Sequence, residues 1–253
     1  MRILVALVGI LAVAYLAAGA ALFFFQRSLI YFPQPAPGGS PAQRMSLAAE
    51  GAQVFVSVRP HPGPNALIYF GGNAEDVSAS LPMLSAAFAD RAIYSMHYRG
   101  YGGSSGTPSE DALQKDALLL FDKVHAEHPN IIVMGRSLGS GMAVRLASQR
   151  TVARLVLATP FESLAGVAAS QFPYFPVRWL LMDKYDSGRY APRVTAPTLI
   201  IAAELDEVIP RWSTEQLYAR FPKGAATITV IPGGGHNTLS DHPLYLEALR
   251  SVR

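Results

Sequence analysis

Short apolar runs recur along most of the chain, and longer stretches with helical spacing or turns rich in glycine and proline separate them. Continuous apolar runs of this length are typical of strands that are buried on both faces, as in a parallel sheet. Their alternation with helices predicts a doubly wound, mostly parallel α/β sheet. The predicted strands are residues 54–58, 66–70, 92–98, 130–135, 154–159, 198–203 and 227–231.

Three helices are predicted with the most definite boundaries. The first begins near Thr107, which would cap it, with Pro108 in the first position and Glu110 bonding back to the Thr107 N–H. The other two cover residues 138–150 and 243–253. Each helix follows a predicted strand, as a doubly wound sheet requires.

Residues 161–193 interrupt this alternation with several prolines and aromatic residues. We predict that they form a small cap over the carboxyl edge of the sheet. Aromatic side chains in such a cap favour contact with an acyl or lipid-like ligand, and the candidates for substrate binding are Phe161, Phe172 and Trp179. Packing within the cap is the alternative role for these three residues, and the sequence leaves both open.

The N-terminal segment is long and apolar, because no charged residue lies between Ile3 and Phe25. At about 1.5 Å per residue this length spans a hydrocarbon core of about 30 Å. Aromatic residues and Arg27 follow it, as at a membrane interface. The sequence therefore predicts an anchor over residues 1–27, a linker rich in proline and glycine over residues 28–43, and a globular domain over residues 44–253 that is separable from the anchor.

A cleaved signal peptide is the main alternative to a retained anchor, and a buried core helix is a weaker one. Ala18-Gly19-Ala20 fits a cleavage site with small residues. Cleavage there would leave Leu22 and three phenylalanines near the mature N-terminus, so we favour a single-pass anchor. The positive-inside rule then places the globular domain on the non-cytoplasmic side, by a margin of about one charge. With cleavage, the protein would instead be exported in soluble form.

Composition excludes several classes of function. The chain has no cysteine, which rules out disulfides, thiolate chemistry and cysteine-ligated zinc. Its formal net charge is +3, and the basic residues are scattered, so nucleic acid is not an expected partner. The sequence implies no metal, no cofactor and no obligate protein partner.

Ser137 lies in the stretch Gly135-Arg136-Ser137-Leu138-Gly139, between a predicted strand and a predicted helix. The pattern G-x-S-x-G in this setting is typical of a nucleophile, because the sharp turn exposes the hydroxyl at a helix N-terminus. The N–H of Leu138 would there stabilise an oxyanion. A phosphate-binding turn is disfavoured, since the stretch lacks G-K-[ST] and has Val144 where a third glycine would stand. A turn with an inert serine is the remaining alternative.

A serine nucleophile needs a base and a residue that orients the base. In this class of fold the acid and then the histidine follow the serine along the chain. His236 follows the last predicted strand in a glycine-rich loop, whereas His242 stands at the start of a predicted helix. We therefore predict His236 as the base and Asp206 as the acid, with Glu207 and Glu204 as weaker candidates for the acid.

The second oxyanion donor is expected in the loop that follows the predicted strand 66–70. This loop reads Gly71-Gly72-Asn73, and the backbone N–H of Asn73 is the preferred candidate. The alternative is a plain turn formed by the two glycines, with no part in catalysis. The sequence leaves the detailed shape of this loop open.

Arg136 has two possible roles beside the proposed nucleophile. A cation at a helix N-terminus opposes the helix dipole by roughly 0.3–1 kcal/mol. Its side chain is either solvated, which limits that cost, or paired with Glu75, Asp76 or Glu162 at the rim of the site.

The motifs together resemble the α/β-hydrolase superfamily and, within it, the N-terminally membrane-anchored bud-emergence-type serine hydrolases. The resemblance implies that Ser137, Asp206 and His236 form a catalytic triad, and that Asn73 and Leu138 supply the oxyanion hole. The matching stretches are residues 25–33, 72–74, 98–102, 135–139, 206–210 and 235–237.

Two positions depart from the pattern of that family. The family usually has His-Gly-Asn where this chain has Gly71-Gly72-Asn73, and a glycine before the acid where this chain has Ala203-Glu204. The expected function is a serine hydrolase that cleaves an ester, thioester or related acyl bond of a small acyl or lipid-like substrate. The alternatives are a serine peptidase of the aminopeptidase kind and, from another class, a catalytically inactive membrane-anchored binding protein on the same fold.

Overall fold

The computed structural model of the protein describes residues 1–35 and 43–252. Within this part of the chain, eight strands form one sheet. The strands are β1 (Gln43–Ala49), β2 (Ala52–Arg59), β3 (Asn65–Phe70), β4 (Ala92–Met96), β5 (Asn130–Arg136), β6 (Arg154–Ala158), β7 (Thr198–Leu205) and β8 (Ala226–Gly235). The helices are α1 (Arg2–Ile30), α2 (Leu81–Ala87), α3 (Glu110–His125), α4 (Leu138–Ala147), α5 (Leu164–Gln171), α6 (Val177–Leu180), α7 (Ser187–Tyr190), α8 (Arg211–Arg220) and α9 (Pro243–Arg250).

The strand order is β1-β2-β4-β3-β5-β6-β7-β8. β2 pairs antiparallel with both β1 and β4, and all other neighbours are parallel. The doubly wound, mostly parallel sheet predicted from the apolar runs is confirmed. Because parallel strands end at the same edge, the loops after β3, β5 and β7 meet there.

Both faces of the sheet are buried, which explains the continuous apolar runs. In β6, Leu155 and Leu157 belong to one core cluster, whereas Val156 between them belongs to the other. Helices α3 and α4 contribute to the first cluster, and α2 and α9 to the second. Each strand of this kind must therefore be apolar at successive positions rather than at alternate ones.

Helix α3 begins later than the sequence predicts. Ser109 rather than Thr107 caps it, because the Ser109 side chain accepts a hydrogen bond from the N–H of Ala112 at 3.3 Å and its backbone is extended. Glu110 is the first helical residue, so the predicted bond to Thr107 is not the one that forms. The expectation of a cap at Thr107 was wrong by two positions.

Helix α1 is long and apolar enough to cross a membrane, although a signal sequence has the same properties. Its C-terminal end packs against the rest of the protein, where Gln26 and Ile30 are buried. The Gln26 side chain accepts a hydrogen bond from the N–H of Met182 at 2.7 Å, and Arg27 pairs with Asp183 at 3.0 Å. The end of α1, where the sequence predicts the boundary between the anchor and the linker, therefore contacts the rest of the protein.

The structure describes only part of residues 28–43, the stretch that is predicted as a linker. Residues 28–30 are the last residues of α1, and Tyr31 is buried, with its hydroxyl 3.1 Å from the carboxylate of Asp183 and 2.9 Å from the hydroxyl of Tyr185. Residues 36–42, which contain the rest of its prolines and glycines, lie outside the described residues.

Residues 161–193 contain α5, α6 and α7, as expected for a small cap, and this cap contacts α1. The ring of Tyr15 stacks on that of Phe175 with their centroids 5.0 Å apart. The Tyr15 hydroxyl donates to the backbone carbonyl of Tyr174 at 2.7 Å. The cap therefore rests on α1 as well as on the sheet.

Candidate active site

Ser137 occupies a strained turn between β5 and α4. Its backbone has φ 49° and ψ −118°, a conformation that is costly for a residue with a side chain. A Cβ atom at Gly135 would collide with the carbonyl oxygen of Gly139, and one at Gly139 would collide with that of Phe70. Glycine is therefore required on both sides of the serine, and the turn holds the hydroxyl at the N-terminal end of α4.

The three residues of the predicted triad lie together. Nε2 of His236 is 3.0 Å from Oγ of Ser137, and Nδ1 of His236 is 3.0 Å from each carboxylate oxygen of Asp206. Ser137 and His236 are both buried. This geometry allows a proton to pass from the serine to an imidazole whose orientation the carboxylate determines.

Backbone donors hold the carboxylate of Asp206 in place. Its Oδ1 accepts from the N–H of Val208 at 3.0 Å and from that of Ile209 at 2.7 Å. The turn after β7 thus supplies both the carboxylate and the donors that orient it.

The two other candidate acids bind the loop that carries the histidine, not its ring. Oε2 of Glu207 accepts from the backbone N–H of His236 at 3.0 Å, and Oε2 of Glu204 accepts from that of Gly233 at 2.8 Å. The hydrogen bond from the His236 backbone lowers the pKa of the Glu207 carboxyl. These residues shape the loop, and Asp206 is the carboxylate that contacts the imidazole.

Asn73 and Leu138 line the same cavity as Ser137. Within the part of the chain that the structure describes, neither backbone N–H donates to another protein group. The side-chain amide of Asn73 donates to the carbonyl of Ile30 at 3.0 Å, and its backbone carbonyl accepts from the Tyr101 hydroxyl at 2.6 Å. The loop after β3 is thus held in place from α1 and from the loop after β4.

Arg136 takes the paired alternative and not the solvated one. Nη1 lies 3.2 Å from Oε2 of Glu75, and Nη2 donates to the backbone carbonyl of His236 at 3.1 Å. Asp76 and Glu162, the other candidates, do not pair with it: Asp76 accepts from Ser78, and Glu162 lies 4.0 Å from Arg220. The positive charge of Arg136 is therefore neutralised by a carboxylate and is not left in solvent.

Sequence reasoning missed how many groups converge on Glu75. Its Oε2 also accepts from the N–H of Gly72 at 2.8 Å. Its Oε1 accepts from the hydroxyls of Tyr69 at 2.7 Å and Ser80 at 2.6 Å. Burial raises the pKa of the Tyr69 phenol, and so does the adjacent carboxylate. The sequence signal that could have indicated this network is Glu75 itself, an acidic residue two positions after Gly71-Gly72-Asn73.

An apolar cavity of about 290 Å³ opens beside the hydroxyl of Ser137. Phe161 and Phe172 line it, as the sequence predicts for substrate-binding residues. Trp179 does not line it, because this side chain is 87% exposed and turns outward from the cap. Helix α1 contributes five residues to the wall, which the sequence did not predict: Leu22, Phe23, Gln26, Leu29 and Ile30.

A second, more polar cavity of about 780 Å³ lies on the other side of the serine. Ser137 and Asn73 line both cavities, so the hydroxyl stands where they meet. The polar or charged side chains that line the second cavity include Glu75, Asp76, Ser80, Arg136, His236, Asn237 and Ser240.

Two other histidines have structural contacts instead. Nε2 of His97 is 2.8 Å from the hydroxyl of Ser57, and burial lowers the pKa of His97 to about 4. Nδ1 of His242 accepts from the N–H of Leu244 at the start of α9, at 3.3 Å. Neither histidine lines the two cavities at the serine.

Comparison with known proteins agrees with this architecture. An uncharacterized protein of Mycobacterium tuberculosis (strain H37Rv) is 36% identical over 261 residues, which cover 94% of this chain and 91% of the relative. The α/β hydrolase domain-containing protein aho-3 of Caenorhabditis elegans is 36% identical over 201 residues, or 77% of this chain and 59% of that protein.

Among solved structures, the esterase Pf2001 of Pyrococcus furiosus is similar, with a TM-score of 0.71 at 16% identity, over 88% of this chain and 98% of the esterase. At that identity the likeness concerns the fold, which is that of the α/β hydrolases. The family model described as serine hydrolase (FSH1) matches residues 74–238, a stretch that begins in the loop after β3 and ends just beyond His236. On the strength of that match, the chain belongs to the FSH1 serine hydrolase family of the α/β-hydrolase superfamily, and it is a hydrolase.

Proposed function

We propose that this hydrolase cleaves an ester, thioester or related acyl bond, with Ser137 as nucleophile, His236 as general base and Asp206 as the residue that orients the base. The observation that carries the proposal is the chain of hydrogen bonds from Asp206 through His236 to the Ser137 hydroxyl, with each link at 3.0 Å. That chain ends at the apolar cavity, where an acyl group would lie.

The reaction begins when Oγ of Ser137 attacks the acyl carbon and its proton passes to Nε2 of His236. The carbonyl oxygen becomes negatively charged, and the backbone N–H groups of Asn73 and Leu138 stabilise it. As the intermediate collapses, the bond to the leaving group breaks, and the alcohol or thiol takes the proton from His236. A water molecule, deprotonated by His236, then attacks the acyl-enzyme, and the acid is released as Ser137 regains its proton.

The two cavities suggest which part of the substrate lies on each side of Ser137. The apolar cavity suits the acyl chain, because among the described residues that line it none is charged. The polar cavity suits the leaving group, since it borders the serine on the side of His236 and Asn237. The substrate would therefore be a small amphipathic acyl compound with an apolar acid part and a polar alcohol or thiol part.

The proposal extends to the membrane. The first part of α1 would span the bilayer as a retained anchor, and residues 44–253 would form the catalytic domain on the non-cytoplasmic side. The apolar helix supports this arrangement by its length and composition.

Topology is testable because the natural chain has no cysteine. A single Glu50→Cys substitution, at a side chain that is 85% exposed, should react with a membrane-impermeant maleimide in intact cells. Reaction only after lysis would place the domain on the cytoplasmic side. N-terminal sequencing of the native protein should begin at or near Met1, and a chain that begins at Ala21 would show a cleaved signal.

Labelling with a fluorophosphonate probe tests the catalytic assignment. The full chain in detergent should be labelled, and Ser137→Ala should abolish labelling and lower turnover by on the order of 10³-fold or more. Ser148→Ala is the matched control, because Ser148 lies just past the other end of α4 and, among the described residues, its hydroxyl bonds only to the carbonyl of Arg145. Labelling that survives in Ser137→Ala would refute the nucleophile. A folded wild-type chain that is never labelled would favour an inactive binding protein.

A further inference from the structure

Helix α1 forms one wall of the apolar cavity at the nucleophile. Leu22, Phe23, Gln26, Leu29 and Ile30 line the cavity, and their spacing places them along one face of a helix. The cap supplies the opposite wall, which includes Phe172 and Phe175. The cavity therefore lies between the cap and the helix that resembles a membrane anchor.

The cavity follows α1 away from the serine. Near the serine, the carbonyl of Ile30 accepts from the side chain of Asn73 at 3.0 Å. Leu22 lies eight residues earlier, which is about 12 Å along the helix at 1.5 Å per residue. Phe175 also lines the cavity, and it stacks on Tyr15, which lies seven residues before Leu22. The end that is far from Ser137 is thus the end toward the N-terminal part of α1.

The N-terminal part of α1 offers an apolar surface at that far end. Leu11 and Leu16 are 69% and 68% exposed. Two aromatic residues of the cap are also exposed, Tyr174 at 84% and Trp179 at 87%. Apolar exposure on this scale is typical of a surface that contacts lipid. The surface is continuous with the uncharged stretch of α1, so a bilayer is the occupant that fits it.

We propose that α1 is a substrate-binding element: its cavity-facing residues bind the acyl chain of an ester or thioester that enters from the bilayer along the helix. This inference rests on the proposed function, because it assigns the cavity to the acyl part of the substrate. It predicts that Leu22 and Phe23 determine which acyl chains are accepted, whereas the residues on the other face of α1 do not.

Two phenylalanines of α1, two positions apart, give a matched pair of variants. Phe23 lines the cavity, and Phe25 is 66% exposed on the same helix. The full chain in phosphatidylcholine nanodiscs would be assayed with the p-nitrophenyl esters of acetic and octanoic acid. Phe23→Ala should lower the ratio of kcat/KM for octanoate over acetate by roughly tenfold. Phe25→Ala should leave this ratio unchanged.

Leu22→Trp is an independent test, because it narrows the cavity instead of enlarging it. It should also lower the octanoate preference, whereas Leu16→Trp, at an exposed position of the same helix, should not. Thermal unfolding of each variant shows whether it is folded. An unchanged ratio in both Phe23→Ala and Leu22→Trp, or an equal change in the two controls, would overturn the role of α1.

The proposed function can fail separately from this inference. Fluorophosphonate labelling at Ser137 reports the chemistry regardless of chain length. If labelling and acetate hydrolysis are present but the octanoate ratio does not respond to α1, the function stands and the inference falls. If wild-type protein shows neither labelling nor hydrolysis, the function itself is wrong.

Discussion

The guanidinium of Arg136 donates a hydrogen bond to the backbone carbonyl of His236 at 3.1 Å. Arg136 directly precedes Ser137, so this bond connects the strand that leads to Ser137 with the loop that carries His236. The same side chain pairs with Glu75, which accepts from the N–H of Gly72 in the loop of Asn73. The pair of Arg136 and Glu75 thereby links the turn at Ser137, the loop of His236 and the loop of Asn73.

Replacing Arg136 should impair the rate more than substrate binding. Arg136→Met removes the bond to the His236 carbonyl and leaves Glu75 without its cation, so we expect kcat to fall at least about tenfold with little change in KM. Arg136→Lys should recover part of the rate. Steady-state kinetics below the unfolding temperature measures both constants.

The control for Arg136 is Arg150→Met. Arg150 pairs with Asp122 at 2.8 Å on the surface, away from the site. Exposed ion pairs of this kind contribute little to the free energy of unfolding. An Arg136→Met enzyme with the kcat of the control would show that the ion pair does not position His236 for catalysis.

Asp206 and Glu207 are adjacent carboxylates with different partners, so their amides should behave differently. Asp206→Asn should lower kcat by on the order of 10⁴-fold, because the imidazole loses the acceptor that selects its tautomer. Glu207→Gln retains an oxygen that can accept from the His236 backbone N–H, so it should lower kcat by less than about tenfold. If Glu207→Gln is the more damaging change in the hydrolysis assay, the acid has been assigned to the wrong residue.

His97 should make stability depend on pH. Burial lowers its pKa to about 4, whereas an unfolded histidine titrates near about 6.5. Between these values the unfolded chain binds a proton that the folded chain does not. The contribution of the neutral His97 to the free energy of unfolding is therefore complete above about pH 6.5. It is lost as the pH falls toward 4, by about 3 kcal/mol in total.

Chemical unfolding at pH 7 and pH 5 measures this effect. His97→Gln should lose about 2 kcal/mol less than wild type between these two pH values, whereas His125→Gln, at an exposed position, should follow wild type. Equal losses in His97→Gln and wild type would mean that another group is responsible for the pH dependence.

Removing α1 entirely should destabilise the protein. A chain that begins at Gln34 lacks the buried residues Gln26, Ile30 and Tyr31 and the hydroxyl contact with Asp183. We expect its free energy of unfolding to fall by at least about 3 kcal/mol. A chain that begins at Gly19 keeps these residues and should unfold at nearly the temperature of the full chain. Equal stability of the two truncated chains in a thermal melt would contradict the packing of α1.

The sheet was predictable because its central strands are buried on both faces, which leaves an unambiguous apolar pattern. β1 was not predicted, since it is an edge strand of sequence QRMSLAA with much of its surface exposed. α8 was also missed, because its sequence RWSTEQLYAR has few apolar residues. An element that buries little surface leaves little periodicity in its sequence.

Within the site, local motifs identified residues whose backbone surroundings are distinctive. Ser137 lies between obligatory glycines, and Asp206 and His236 follow strands. The convergence of Tyr69, Ser80 and Arg136 on Glu75 has no such signature, because it depends on how separate loops meet in space. The cavity-facing residues of α1 were missed for a different reason: a side chain that contacts lipid and one that contacts an acyl chain are chosen from the same apolar set.

The stacking of Tyr15 on Phe175 joins the cap to α1 fifteen residues before the helix ends at Ile30. A helix that serves only as a membrane anchor needs only length and hydrophobicity, so another apolar helix of equal length can replace it. Helix α1 cannot be replaced in this way, because one of its faces packs against the cap. Only the opposite, exposed face is free to vary. In a comparison of orthologues, substitutions should therefore accumulate on the exposed face of α1 and be rare at Tyr15, Leu22 and Gln26, in step with changes in the cap.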